Sequence, residues 1–421
     1  MKTKFLIPML LLLTVGAAAQ TSKKELLKDI NRTGATYYIY PGPTQKALAP
    51  APAGYEPFYI SHYGRHGSRY MTSNKYYVQA IAPLEAAAKR GNLSAKGEEV
   101  LEILHKGFAD AWSRDGDLTP LGGRQHREIA HRMYERFPEL LSQPLEIDAR
   151  SSTVGRCMIS MFYFCQELEG LNPELAIRMD ASMRDMRFVV EDHDLKPEKT
   201  PAADGYEQRW QAMREKSLNS TRLMKVLFKD ASEAQEFVNG PELMESLYHV
   251  AHDFQSLPEL GLSLVNIFTK DELFNIWNNI NTRWLLHSGL VPGSTPTYLK
   301  RMEVRDSIQS IADRVIREGV PTLSLRFSHD SSVLPLAYLL GLKEAMGANT
   351  DIEHLYKRVS IDKIIPMAAN IQMVFYRKPG SDDILVKFLL NENETSIPVK
   401  TDCAPYYHWE DVKAFWATHG V

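Results

Sequence analysis

Strand-like segments sit at the two ends of this 421-residue chain, and nearly everything between residues 205 and 318 has helical character. Near the start, Phe58-Tyr59-Ile60 is an apolar, aromatic run of strand type, after an irregular Pro-, Ala- and Gly-rich lead-in over 41–57. Helical periodicity covers 75–90, 94–114 and 120–136, with breaks at Gly91 and Pro138. Residues 145–149 alternate as a strand, and a helix follows over 152–169. Beyond the helical block, 322–327 is a strand and a helix opens near 331. Further strands include 371–376 and 384–390, and a last helix starts near 409. The two ends must meet to close one sheet, so the pattern predicts an α/β fold with a mostly helical insertion. The expected division is a core from 20–182 and 320–421, with a helical cap over 183–319.

The first nineteen residues have the form of a secretory signal. Lys2 and Lys4 precede an apolar core over 5–15, and Ala17-Ala18-Ala19 offers small residues before Gln20. Removing this segment takes the formal charge from −3 to −5. That balance gives no support for binding nucleic acid or an anionic membrane. No later stretch is long and apolar enough to span a bilayer. The mature protein is expected to be exported, with no membrane insertion after cleavage. Three cysteines follow, Cys157, Cys165 and Cys403. The first two are eight residues apart on an expected helix, about 12 Å, too far to pair. Cys403 is left able to pair with either, or all three stay as thiols.

Three of the expected strands end in polar clusters: Arg65-His66, Arg150 and His329-Asp330. Open α/β sheets bind ligands beyond the carboxyl ends of their strands, so these clusters can build one site from distant sequence. Arg65-His66-Gly67-Ser68-Arg69 puts an imidazole between two guanidiniums, whose forks match phosphate oxygens. Phosphomonoester hydrolysis needs a nucleophile, cationic clamps and an acid for the leaving oxygen. His66 is the candidate nucleophile and Asp330 the candidate acid, because a carboxyl beside a phosphate dianion has its pKa raised. Arg65, Arg69, Arg150 and His329 are the candidate phosphate-binding residues. A helix opening near Ser331 adds its N-terminus to the same anion.

These residues resemble the histidine acid phosphatases, in branch 2 of the histidine phosphatase superfamily. The resemblance rests on Arg-His-Gly-x-Arg at 65–69 and on His329-Asp330. It also rests on Leu118-Thr119-Pro120-Leu121-Gly122-Gly123-Arg124-Gln125, and on Arg150-Ser151-Ser152 in the place of a distal phosphate-binding arginine. It covers roughly 55–410. It implies a central mixed sheet flanked by helices, of the phosphoglycerate-mutase-like kind, with an inserted helical cap. It implies a phosphohistidine at His66, a pocket of Arg65, Arg69, Arg150 and His329, proton donation by Asp330, and neither metal nor other cofactor. Arg156, inside the following helix, is the rival for the distal clamp. Arg-His-Gly-Ser-Arg-Tyr and Met183-Arg184-Asp185-Met186-Arg187-Phe188 resemble the inositol polyphosphate phosphatases and their phytase-like relatives. That branch typically carries His-Ala-Glu where this chain has His329-Asp330, the pattern of classical acid phosphatases and many phytases. The expected substrate is therefore a small phosphomonoester, inositol polyphosphate first, with sugar or nucleotide monophosphates as the alternative.

Other readings are weaker on the residues themselves. Asp115-Gly116-Asp117-Leu118-Thr119 matches the Asp-x-Asp-x-Thr of Mg-dependent phosphatases with an aspartate nucleophile. It follows a helix end rather than a buried strand, so a turn before a helix capped by Thr119 is expected. His62 and His66 have a metal-like spacing only on a helix, and Gly64 argues against one. His126 and His131 are expected as solvated or packing residues. Cys157 lacks the downstream arginine of a cysteine-phosphatase loop, and Ser68 lacks a Gly-x-Ser-x-Gly setting. A mutase of the same superfamily would share His66 and Arg65, but export and a large helical insertion favour hydrolysis.

Overall fold

The computed structural model describes residues 21–420, and the expected signal at 1–19 lies outside them. Eight strands form one mixed sheet: β1 (Glu56–Arg65), β2 (Leu145–Ser151), β3 (Leu175–Asp180), β4 (Thr322–Ser328), β5 (Asn370–Arg377), β6 (Leu385–Leu390), β7 (Asn393–Thr395) and β8 (Tyr406–His408). Their order is β3-β2-β4-β1-β5-β6-β7, with β8 also paired to β6. β3, β2, β4 and β1 are parallel, and β5 turns the sheet antiparallel against β1. The sheet therefore joins both chain ends, as the strand-like segments require.

Among the described residues, ten α-helices reach eight residues or more: α1 (Lys75–Lys89), α2 (Ala95–Ala111), α3 (Pro120–Arg136), α4 (Gly155–Leu171), α5 (Ala203–Ser217), α6 (Gly240–Asp253), α7 (Lys270–His287), α8 (Met302–Glu318), α9 (Asp330–Leu339) and α10 (Trp409–Trp416). Their starts are written in cap residues. The Ser94 hydroxyl accepts from Gly97 N, the Thr119 hydroxyl accepts from Gly122 N with Pro120 at the first helical position, and Thr269 with Glu272 closes a capping box. No described helix is long and apolar enough to cross a membrane.

Two core clusters cover the sheet. Trp277, Val304, Ile308, Val333 and Leu336 pack with Tyr59, Phe375, Phe388, Trp409 and Trp416. Ile129, Met133, Phe164 and Leu168 pack with Ile60, Ile147, Leu323, Leu325 and Phe327. A third cluster stands apart from the strands. It joins Tyr77, Leu84, Val100 and Leu104 of α1 and α2 to Leu223, Leu243, Leu247, Phe254 and Leu273. The helical block thus packs, through residues 218–276, on two helices more than a hundred residues earlier in sequence.

β1 extends five residues beyond the apolar run that announces it, through Ser61-His62-Tyr63-Gly64. A central strand is buried on both faces and need not alternate. Its polar side chains are absorbed by packing: the His62 ring lies 4.9 Å from that of Phe164 and 5.6 Å from that of Phe327. β3 carries no strand signal in the sequence; its side chains are largely exposed at the sheet edge, so no apolar pattern marks it. All three cysteines are free, so Cys403 pairs with neither Cys157 nor Cys165.

Candidate active site

β2, β4 and β1 are parallel neighbours, and their registers align Ser151 with Phe327, Gly64 with Phe327, and Arg65 with Ser328. Residues 65–69, 152–156 and 328–330 therefore leave the sheet side by side. The backbone fixes them there. His66 N donates to Ser328 O at 3.0 Å, Ser152 N to Phe327 O at 2.9 Å, and Ala368 N to His66 O at 2.9 Å.

The start of α3 holds the loop after β1 from above. Ser68 N donates to Gln125 Oε1 at 2.8 Å, Gln125 Nε2 donates back to Ser68 Oγ at 3.0 Å, and Thr119 N donates to Ser68 O at 2.9 Å. Those contacts are the physical content of the 118–125 stretch: Thr119 caps the helix, Gln125 reads the loop backbone, and the glycine between them permits the approach. A Cβ on Gly67 would lie 2.5 Å from Gly122 O, and one on Gly122 would strike the Ser68 carbonyl.

His66 is buried, and its Nδ1 lies 2.9 Å from Gly67 O. A carbonyl only accepts, so Nδ1 carries the proton and Nε2 keeps its lone pair. Burial, then Arg65, Arg69 and Arg156, hold the His66 pKa well below the ordinary imidazole value. A neutral ring with a free Nε2 is the form a nucleophile requires. The ring of His329 lies 5.7 Å away, centroid to centroid. Its Nε2 is 3.0 Å from Ser152 Oγ and its Nδ1 is 3.5 Å from Arg156 Nη2. Burial and Arg156 push the His329 pKa down to about 4.

Arg65 is fully buried at the base. It donates to Ile365 O (2.7 Å) and Thr36 O (2.9 Å) and pairs with Asp330 Oδ2 at 2.7 Å. Burial lowers its pKa to about 10 although Asp330 opposes the shift. Arg69 donates to Tyr70 O and lies over the Tyr37 ring at 5.6 Å. Burial works to raise the Asp330 carboxyl, but Arg65 and Arg69 outweigh it, so it sits below the usual carboxylate value. The protein groups alone thus do not set the raised pKa expected for an acid; a bound dianion must supply it. Three guanidiniums act on His66; Asp330 pairs with Arg65, and Asp253, raised by burial to about 7, acts on Arg69, which leaves an excess of positive charge suited to a phosphate.

Arg150 does not join them. In a strand, residues two apart share a face, so Arg150 projects on the side of Asp148 while Ala149 and Ser151 face inward. Its guanidinium is saturated by Asp148 at 3.0 Å, Asp180 at 2.9 Å and Asp185 at 2.7 Å. Arg156 lies beside His329 instead, from the first turn of α4, whose N-terminus opens toward the site. The signal for this was present as Asp148-x-Arg150, a same-face ion pair. Ser152 and Gln125 are further contributors that type and spacing alone did not single out.

The rival motifs lack the settings their own chemistries need. Asp115 and Asp117 are exposed on a turn whose Gly116 N donates to Met71 O. His126 is buried against Phe327, not solvated. Cys157 Sγ donates to Ser328 O at 3.2 Å, and burial pushes its thiol up to about 12, so it stays un-ionised.

The family model for the histidine phosphatase superfamily (branch 2) matches residues 64–250. Multiple inositol polyphosphate phosphatase 1 of Gallus gallus is 25% identical over 455 residues, covering 97% of this chain and 95% of its own length. The Homo sapiens protein of the same name is 25% identical over 396 residues, covering 83% and 76%. Among solved structures, Bifidobacterium longum multiple inositol polyphosphate phosphatase in complex with inositol hexasulfate has a TM-score of 0.74 at 19% identity, covering 92% of this chain and 98% of that one. The phytase from D. castellii has a TM-score of 0.66 at 15% identity, covering 92% and 84%.

Proposed function

We propose that this chain, a phosphatase by its matches to the histidine phosphatase superfamily, branch 2, and to the inositol polyphosphate phosphatases, is an exported, metal-independent phosphomonoesterase that acts on inositol polyphosphates through a phosphohistidine at His66. The observation that carries this reading is the His66 tautomer: Nδ1 tied to Gly67 O, Nε2 free, and three guanidiniums around it.

The scissile phosphate is held by Arg65, Arg69, Arg156 and His329. His66 Nε2 attacks phosphorus, the bond to the leaving oxygen breaks, and Asp330 gives that oxygen its proton. Water then attacks the phosphohistidine with Asp330 as base, releasing inorganic phosphate and restoring the ring. Substrate charge prepares the acid, because a dianion against Asp330 opposes the pull of Arg65 and Arg69.

Support for a substrate with several phosphates comes from the relatives and from a cavity of about 580 Å³ beside Ser331, lined by Arg283, His287, Lys300 and Arg301 with Glu191. Glu191 holds Lys300 at 2.7 Å and Arg301 at 2.6 Å. That prior pairing, together with His329-Asp330, keeps a broad acid phosphatase on simple monophosphates as the second reading. The cap in this proposal comprises α1 and α2 with the part of the helical block over 218–276, which share one core, while α8 packs on the sheet. Phosphate release from phytate and from p-nitrophenyl phosphate, with and without EDTA, tests the proposal. EDTA-resistant release from both supports it. Release from p-nitrophenyl phosphate alone moves the substrate to simple monoesters, and loss in EDTA restored by Mg²⁺ overturns the histidine mechanism.

A further inference from the structure

We propose that Asp402, Cys403 and His408 form a binding site for one zinc-class divalent cation, at the end of the sheet remote from His66. One ligand atom from each residue lies within 4.8 Å of the others. Oxygen, sulfur and nitrogen donors in that number suit a tetrahedral ion that keeps one position for water.

The orientation of His408 is the telling feature. Its Nδ1 lies 2.8 Å from Asp383 Oδ1, and Asp383 Oδ2 in turn accepts from the Tyr55 hydroxyl at 2.7 Å. A carboxylate only accepts, so Nδ1 carries a proton and the ring is fixed by an outer carboxylate, as metal-ligating histidines are. Nε2 then faces Asp402 Oδ1 at 3.0 Å. A neutral ring would set a lone pair against a carboxylate there, so a cation must lie between them: a second proton on His408 or a metal ion. The adjacent Cys403 thiol gives a metal what a proton does not use.

The ligands are mounted firmly. His408 ends β8 and pairs with Leu385 of β6. The turn carrying the other two is closed by Cys403 N donating to Thr401 Oγ1 at 3.2 Å and Tyr406 N donating to Cys403 O at 3.0 Å. Binding exchanges protons for the ion: the thiol proton and any proton on His408 Nε2 leave to solvent, while Nδ1–H stays on Asp383. The thiolate and the Asp402 carboxylate then balance the dication. His408 aligns through Leu385 and Tyr376 with Pro57, near the start of β1. His66 lies beyond the other end of that strand, roughly 30 Å away at about 3.3 Å per residue. Occupancy should therefore stiffen the C-terminal turn without touching turnover, and the inference stands independently of the phosphatase reading.

The test is titration of tag-free, metal-stripped full-length protein with Co²⁺, followed by Zn²⁺. One Co²⁺ per chain, with a thiolate-to-cobalt charge-transfer band in the near ultraviolet that Zn²⁺ removes, is the expected result. Cys403→Ser should abolish the band and Asp402→Asn should weaken binding about tenfold or more. Both should leave release of p-nitrophenolate from its phosphate ester unchanged, as should Zn²⁺ itself. Absence of the band, or its persistence in Cys403→Ser, overturns the site. So does wild-type Co²⁺ affinity in Asp402→Asn, whose exposed side chain leaves no reason for misfolding.

Discussion

Arg150 and Arg156 are six residues apart and meet opposite surroundings. The first lies on a strand among three carboxylates, and the second on a helix start beside His329. One cluster satisfies its cation with carboxylates in excess; the other is left with cationic excess. A guanidinium that its own fold has already neutralised has little left to offer a ligand, so uncompensated charge marks an anion site better than arginine count does.

The largest expected effect lies at the centre of the unbalanced cluster. His66→Ala should lower turnover about 10⁴-fold or more while the circular dichroism spectrum is kept; ordinary turnover in this variant would end the phosphohistidine mechanism. Next, Arg156→Ala should lower kcat/KM by about 10²–10³. Arg150→Ala should leave kcat/KM within about twofold and cost roughly 1–2 kcal/mol of stability, since three carboxylates lose their shared cation. The opposite pattern in steady-state kinetics would return Arg150 to the distal clamp. Asp330→Asn should slow esters with poor leaving groups by about 10²-fold or more, and p-nitrophenyl phosphate far less, because p-nitrophenolate leaves without a proton. Equal losses on both substrates would remove the acid role.

The smallest effect concerns histidines outside the site. His62 and His126 are buried without hydrogen-bond partners on either ring nitrogen, and burial pushes both pKa values down to about 3. Their unfolded values stay near the ordinary 6.5. Between those limits the unfolded chain binds more protons than the folded one, so stability falls as pH drops from about 6.5 toward 3. Urea midpoints at pH 7 and pH 4.5 should show the fall, and His62→Phe should flatten it. An unchanged slope in that variant would assign the acid sensitivity elsewhere.

The Arg65-to-Arg69 loop and His329-Asp330 were legible as candidates because each is a contiguous segment whose chemistry follows from residue type, whereas the 118–125 stretch was legible only through the family resemblance. The sheet was legible at both ends for a similar reason, since apolar strand runs announce themselves. What escaped depends on direction and partnership. Arg150 and Arg156 are chemically identical, and only strand alternation against Asp148 separates them. The joining of α1 and α2 to the later helices depends on which apolar faces meet, which no local pattern states.

The close approach of Gly67 and Gly122 has a consequence for how such a catalyst can diversify. Each position forbids even a methyl group because the other's backbone, or that of Ser68, already fills the space. Neither can drift alone, and the loop carrying His66 is heritable only together with the start of α3. Sequence variation that alters substrate choice is thereby channelled away from the His66 loop and into the walls around it. For directed evolution, libraries at residues such as Arg283, His287 and Lys300 should yield folded variants, whereas libraries at 67 or 122 should return almost nothing but the parent.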